Sequence, residues 1–391
     1  MSSPVNDSAF AQDTLDAIKD IHDVEVFYHD SCVGRLALDE YGCCAFQYNQ
    51  EFLSKGINIS PFEFELDTNS RTAEYQPFGG NFGVFADSLP DGWGSLVFDR
   101  YLRNQGVNPF TLTILQRLSL IGSTGRGALE YRPDNSLRGE LRPVDFDELV
   151  KQIQNLYRAK DCDDSSNNVT DTIFRYSGSS GGARPKMFVK SEGKEWLVKF
   201  PASVDPASVG EQEYNYSLLA KSCGIVMPET RLFNGEHFGT QRFDRSEEGK
   251  IHTISAAGLL HADYRYPVLD YVSLLRACLH LTKDVREVKQ LFRVMVFNVV
   301  IGNRDDHARN FSFQLIGEDW KLSPAYDLLP CFGLNGEHFT SINGSGDPNR
   351  NDLINCGLEA SLDKDYMNSS IDEILDICHS ENMARADLRV K

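Results

Sequence analysis

Gly302–Asn303–Arg304–Asp305–Asp306–His307–Ala308–Arg309–Asn310 gathers two carboxylates, a histidine, two arginines and two asparagines into one short stretch. Directly upstream, Val288, Leu291, Phe292, Met295 and Val299 recur at the spacing of a single helix face. The stretch is therefore expected at the end of a strongly apolar helix that runs into Gly302. A buried helix end rarely needs so many polar groups for stability alone. Further on lies Leu322–Ser323–Pro324–Ala325–Tyr326–Asp327–Leu328–Leu329, with one more carboxylate, Asp327. Phosphoryl transfer accounts for this set economically. It requires an Asp to orient or deprotonate the acceptor hydroxyl, and an Asn with a second Asp to hold Mg²⁺ against the phosphates. Asp305 and Asn310 are five apart, with Arg304 just before the Asp, the spacing of the HRDxxxxN catalytic loop. Asp306 adjoins Asp305, and the spacing to Asn310 favours Asp305.

Working outward, the same chemistry calls for a phosphate loop and a lysine upstream. Gly178–Ser179–Ser180–Gly181–Gly182–Ala183 is a glycine/serine loop whose backbone N–H groups can approach phosphate oxygens without obstructing side chains. Lys199 stands as an isolated cation in the apolar strand Trp196–Leu197–Val198–Lys199–Phe200, and Glu213, on the helix expected next, is a candidate partner. Singly these features are ordinary: most glycine/serine loops are turns, strand lysines snorkel, helix glutamates face water, and adjacent Asp residues cap helices. Their joint order of loop, strand Lys, helix Glu, Asp, Asn and Asp is not ordinary.

The rest of the chain sets the frame. Val24–Tyr28 and Cys32–Leu38 alternate around His29–Asp30–Ser31 as a hairpin, and Cys43–Tyr48 supplies a third strand. A helix is expected over Ser95–Asn104, strands at Met187–Lys190, Arg231–Phe233 and Gly239–Phe243, and a polar linker at Lys160–Thr172. The 391 residues carry 39 basic and 57 acidic side chains, a net charge of −18, which argues against extended direct binding to nucleic acid. No apolar stretch reaches the ~20 residues that span a bilayer, and no signal peptide is visible, so a cytoplasmic protein with no membrane partner is expected. Nine scattered cysteines without CxxC spacing are expected to be reduced thiols.

At these motifs the chain resembles the HipA family, the kinase half of bacterial HipA–HipB toxin–antitoxin pairs. Carrying the resemblance are Ser179–Lys186, Trp196–Pro201, Gln241–Arg242–Phe243–Asp244–Arg245, Asn303–Ser312, Ser323–Leu328 and Phe85–Gly92. It implies an α+β, two-lobed protein-kinase-like fold with a β-rich N-terminal subdomain and a mostly α-helical C-terminal lobe. Residues 1–160 would be the N-terminal subdomain, 173–245 the part with the phosphate loop and lysine strand, and 246–391 the helical lobe with the catalytic and metal-binding loops. It further implies a serine/threonine kinase using ATP and Mg²⁺, with Asp305 as base and Asn310 and Asp327 on the metal. Ser179, Ser180, Gly181, Gly182, Ala183, Lys199 and His307 would lie at the phosphates, and Gln241 and Phe243 at the adenine through backbone groups. Lys186, Arg304 and Arg309 are further cations expected there. Ser179, or its neighbour Ser180, matches the serine whose autophosphorylation switches the kinase off. The implied partners are a protein substrate such as glutamate–tRNA ligase and a HipB-like helix-turn-helix antitoxin, with DNA reached only through the antitoxin. Two other readings are a catalytically quiet nucleotide-binding regulator and a metal-dependent phosphohydrolase using Asp305, Asp306, His307 and Asp327.

Overall fold

Hydrophobic alternation builds the first sheet. In the computed structural model, which describes residues 17–136, 182–202 and 208–384 with 150, 151, 153, 173, 174, 177, 205 and 206, Val24, Val26, Val33 and Leu36 are fully buried. They lie on strands β1 (Asp23–Tyr28) and β2 (Ser31–Leu38), joined through His29, whose φ of 52° turns the chain back. With β3 (Cys44–Tyr48), β4 (Arg71–Thr72) and β5 (Leu129–Arg132) they form an antiparallel sheet in the order β4-β3-β2-β1-β5. Gly34 is required in β2, because a Cβ there would lie 2.2 Å from the Gln47 carbonyl oxygen. Phe46, Phe64, Phe82 and Phe85 interlock beside this sheet, with the Phe46–Phe85 centroids 5.1 Å apart and Phe64–Phe82 at 5.0 Å. Helix α1 (Gly92–Asn104) begins earlier than the sequence suggests, and α2 (Ile114–Ile121) starts on a Thr113–Gln116 capping box. The expected linker at Lys160–Thr172 lies outside the described residues.

A second sheet, in the order β6-β7-β9-β8, comprises β6 (Lys186–Ser191), β7 (Lys194–Lys199), β8 (Thr230–Phe233) and β9 (His237–Gln241), with helix α3 (Val209–Ser222) between β7 and β8 in the chain. By contacts the chain divides into two compact units, Met1–Ile59 with Phe64–Gly210 and Leu232–His252, and Ser60–Glu63 with Glu211–Arg231 and Thr253–Lys391. The second is mainly helical, with α4 (Tyr271–Thr282), α5 (Val285–Ile301), α6 (Arg350–Glu359) and α7 (Lys364–Ser380). A three-stranded sheet adjoins it in sequence order, β10 (His252–Ser255), β11 (Ser312–Ile316) and β12 (Asp319–Leu322).

Helix α5 is the element that places the polar loop. Every residue from Leu291 to Ile301 is buried, and the helix is capped by Asp284 at its start. It stops at Gly302, whose φ of 70° lets its N–H turn back onto the Val299 carbonyl while the Asn303 N–H reaches Asn298. Among the described residues no helix is long and apolar enough to cross a membrane, and all eight described cysteines are free.

Candidate functional site

The polar loop leaves α5 with its two adjacent carboxylates in opposite environments. Asp306 is completely buried and saturated with donors. Its Oδ2 accepts from Tyr271 Oη at 3.0 Å and contacts His338 Nδ1 at 2.9 Å. Its Oδ1 accepts the Phe339 N–H at 2.9 Å and the Thr340 N–H at 3.2 Å, and Thr340 Oγ1 closes on the Asp306 carbonyl at 2.5 Å. This carboxylate knots the loop to α4 and to residues 338–340. Asp305, one position earlier, is exposed. The side-chain amide of Asn310 donates to the Asp305 backbone carbonyl at 2.6 Å, across a 3₁₀ turn at Ala308–Asn310.

Asp327 sits at φ 59°, in the left-handed region that a non-glycine residue occupies only when its surroundings hold it there. Asn303 contributes to that hold, because its Nδ2 donates to the Asp327 carbonyl at 3.3 Å and to Asn298 Oδ1 at 2.9 Å. Asn298 passes the chain on to Tyr271 Oη at 3.1 Å, and Tyr271 passes it to Asp306. One buried relay therefore joins the expected metal Asp to the knot behind the expected base. Burial, then the Asp306 charge, pushes the Tyr271 phenol far above its ordinary range, so it remains a donor. His307 sits between the Tyr264 and Phe339 rings, at centroid distances of 6.1 and 6.0 Å, and its buried Nδ1 has no hydrogen-bond partner among the described residues. Arg309 covers the Tyr264 ring at 4.1 Å, and Arg304 makes a loose exposed pair with Asp347 at 3.4 Å.

In the other unit, Lys199 is half-buried at the end of β7, with Nζ 5.7 Å from the Phe238 ring centre. The register sets Lys186 directly opposite Lys199 on β6, and Lys186 is 6% exposed. Like charges directly opposite each other on a strand pair are unfavourable unless nearby groups compensate them. Ser179, Ser180 and Gly181 lie outside the described residues, whereas Gly182, at φ 84°, and Ala183 are exposed. Glu213 is buried on α3 rather than turned to water, within the compact unit that does not hold Lys199. Gln241 pairs opposite Trp196 and, like Phe243, is half-buried.

The motif around those two residues has a further role that its reading as a hinge missed. Asp244 is buried and accepts from Arg242 Nε at 2.9 Å, Arg242 Nη2 at 2.8 Å, Arg245 Nη1 at 3.0 Å and the Gly127 N–H at 2.9 Å. Burial alone would raise its carboxyl, but the Arg242 and Arg245 charges carry it well below the usual range. Arg245 also reaches the Gly125 and Gly127 carbonyls, both at 3.1 Å, so this hub joins the end of β9 to the segment preceding β5.

Mg²⁺ is commonly bound by one or two protein oxygens plus substrate phosphates. Asn310, its amide nitrogen engaged on Asp305, and Asp327 offer such hard oxygens. No group of three or more His, Cys, Asp or Glu among the described residues is arranged to hold a metal. Asp306, which the phosphohydrolase reading needs as a ligand, is already saturated by Tyr271, His338, Phe339 and Thr340.

Comparison with known proteins adds an independent line. Residues 178–381 match the HipA-like C-terminal domain family and residues 24–132 the HipA N-terminal domain family. Y4dM of Sinorhizobium fredii, which bears a provisional kinase name, is 27% identical over 283 residues, 67% of this chain and 65% of its own length. Y4mE of the same organism, similarly named, is 26% identical over 341 residues, covering 78% and 76%. The chain thus spans just under two thirds of Y4dM. Among solved structures, the Shewanella oneidensis MR-1 toxin–antitoxin HipA, in a complex with HipB and operator DNA, superposes with a TM-score of 0.68 at 17% identity. That match covers 93% of this chain and 92% of the other, and shows a shared fold.

Proposed function

This chain belongs to the HipA family, and from that premise we propose that it is an ATP-dependent serine/threonine protein kinase acting as the toxin of a toxin–antitoxin pair. The observation that carries the reading is the division between Asp305, exposed with Asn310 clamped on its carbonyl, and Asp306, buried as the anchor behind it. Structural carboxylates are buried and satisfied; a base must reach its substrate. In this reading residues 1–160 form the N-terminal subdomain, 173–245 carry the phosphate loop and lysine strand, and 246–391 carry the catalytic and metal-binding loops.

Lys199 and Lys186 hold the phosphates by charge, with Gly181 and Ala183 offering backbone N–H groups on either side of Gly182 and Glu213 orienting Lys199. Gln241 and Phe243 hold the adenine through their backbone. His307 directs its Nδ1, without a hydrogen-bond partner among the described residues, at a phosphate oxygen. Asn310 and Asp327 would hold Mg²⁺, which when bound would neutralise phosphate charge. Asp305 orients the acceptor hydroxyl and takes its proton as the hydroxyl oxygen bonds to the γ-phosphorus and the bond to the ADP oxygen breaks. The acceptor is a protein serine or threonine, with glutamate–tRNA ligase as the first target to test and growth arrest as the result. Transfer to Ser179, or to Ser180, switches the kinase off. A HipB-like antitoxin supplies the DNA contacts that a chain of charge −18 does not favour.

The direct test is incubation of the purified chain with ATP and Mg²⁺, with phosphate mapped by mass spectrometry. Label is expected at Ser179 or Ser180 and absent from Asp305→Asn. Equal labelling of that variant overturns the assignment. Stoichiometric nucleotide binding without turnover instead makes the chain a quiet regulator.

A further inference from the structure

The turn Pro90–Asp91–Gly92–Trp93 reaches across the sequence to both flanks of the glycine/serine loop. On one flank the Gly182 N–H donates to Asp91 Oδ1 at 2.5 Å, while the Trp93 N–H donates to the Gly182 carbonyl at 2.9 Å. One residue is thus gripped through both its N–H and its C=O by a turn 91 residues upstream. On the other flank Trp93 Nε1 donates to Ser177 Oγ at 3.1 Å, with both side chains 1% exposed. A buried indole N–H needs a partner, and this one is spent on the residue that opens the loop. The approach is close enough to dictate the residue between them. Gly92 has a φ of 45°, and a Cβ there would lie 2.4 Å from the Gly182 carbonyl oxygen.

We propose that Pro90–Trp93 is a clasp that sets the phosphate loop, making Asp91 and Trp93 positioning residues for ATP although they lie in the N-terminal module, far from the loop in sequence. The inference rests on the kinase reading above and assigns that module a task in it. The turn therefore holds Ser177 and Gly182, the two described residues that flank the glycine/serine motif. Ordering backbone opposes binding, so tethers already in place reduce the number of torsions that the nucleotide must fix. Releasing either end transfers that ordering to the binding step. The loss therefore falls on ATP affinity and not on the chemical step, since neither residue touches the transferred phosphoryl group.

The test uses the full chain with Ser177→Ala, Trp93→Phe, their double variant, Asp91→Ala and Asp91→Asn. ATP affinity is read as KM in labelling and as Kd for a fluorescent ATP analogue, with thermal melting and amide exchange of Gly182 alongside. Ser177→Ala and Trp93→Phe each delete the same bond, so each is expected to weaken ATP binding about 3- to 10-fold, and the double variant no more than the worse single one. Asp91→Ala weakens it comparably and speeds Gly182 exchange about tenfold, whereas Asp91→Asn, which keeps an acceptor oxygen, restores most of both. At saturating ATP, kcat stays within about twofold. Lower melting temperatures with unchanged ATP affinity mean a purely structural role and overturn the clasp, as does strict additivity of Ser177→Ala with Trp93→Phe. A wild-type chain that binds no ATP overturns the kinase reading itself. Wild-type binding with unaltered clasp variants overturns the clasp alone.

Discussion

The Tyr271 hydroxyl donates to the Asp306 carboxylate at 3.0 Å while accepting the Asn298 amide at 3.1 Å, and so couples helix α4 to the end of α5. Through that bond the loop carrying Asp305 is fixed by its neighbour, while Asp305 itself stays exposed.

Substitutions at the two aspartates should therefore separate activity from stability. Asp306→Ala leaves Tyr271, His338 and the Phe339 and Thr340 amides short of an acceptor, and is expected to destabilise the chain by roughly 3–5 kcal/mol. Asp305→Asn is expected to abolish phosphoryl transfer with little change in melting temperature. Paired denaturation curves and labelling assays read both; a large stability loss in Asp305→Asn would refute the division.

Asn303→Ala cuts the bond to the Asp327 carbonyl and to Asn298 while leaving all proposed ligands in place. Its expected signature is weaker metal binding: the Mg²⁺ concentration for half-maximal labelling rises about 10- to 100-fold, the scale for losing support behind a metal ligand. Asp327→Asn should be more severe, since it removes the charge proposed to contact the ion.

Stability should depend on acidity in two windows. Burial lowers His252 to about 4 from 6.5, with its ring bound to the Ile59 carbonyl. Between those values the unfolded chain takes up a proton that the folded chain refuses, so stability falls as pH drops from about 6.5 to about 4, by up to about 3 kcal/mol. His252→Gln should flatten that slope in pH-dependent melts. Asp244, held low by Arg242 and Arg245, acts in a more acidic window. Its contribution is whole above the ordinary Asp value and is lost as the pH falls below about 4 towards its folded value. Asp244→Asn should be less stable near neutrality and lose less on further acidification.

Gly92→Ala places a methyl against the Gly182 carbonyl, so either the turn or the glycine must move. A raised KM for ATP together with a lower melting temperature is expected, in contrast to the polar clasp variants, where affinity changes more than stability.

Much of this was legible in the sequence where the signal is local. The β1–β2 hairpin follows from alternation, α5 from one apolar face, and its stop from Gly302; Asp305 stood out by its spacing to Asn310. What the sequence hid depends on long-range pairing. Asp306 and Asp305 look alike in one dimension, and their difference comes from Tyr271, 35 residues upstream, and His338, 32 residues downstream. Those partners are generic residue types without a motif. The Lys186–Lys199 pair needed strand register, and β5 alternates over only four residues, Leu129–Arg132, too few to stand out. Gln241–Arg245 was legible as a motif, but its hub on Gly127 was not, because a backbone amide leaves no trace in a string of letters.

The buried knot at Asp306 has a practical consequence. Since Asp306 locks the loop, a chain with the Asp305 carboxylate silenced should fold as an intact decoy. Expressed beside the wild type, it would compete for whatever protein surface the chain engages while contributing no chemistry. Titrating the two against each other in cells would then measure how much of any growth phenotype is occupancy and how much is turnover.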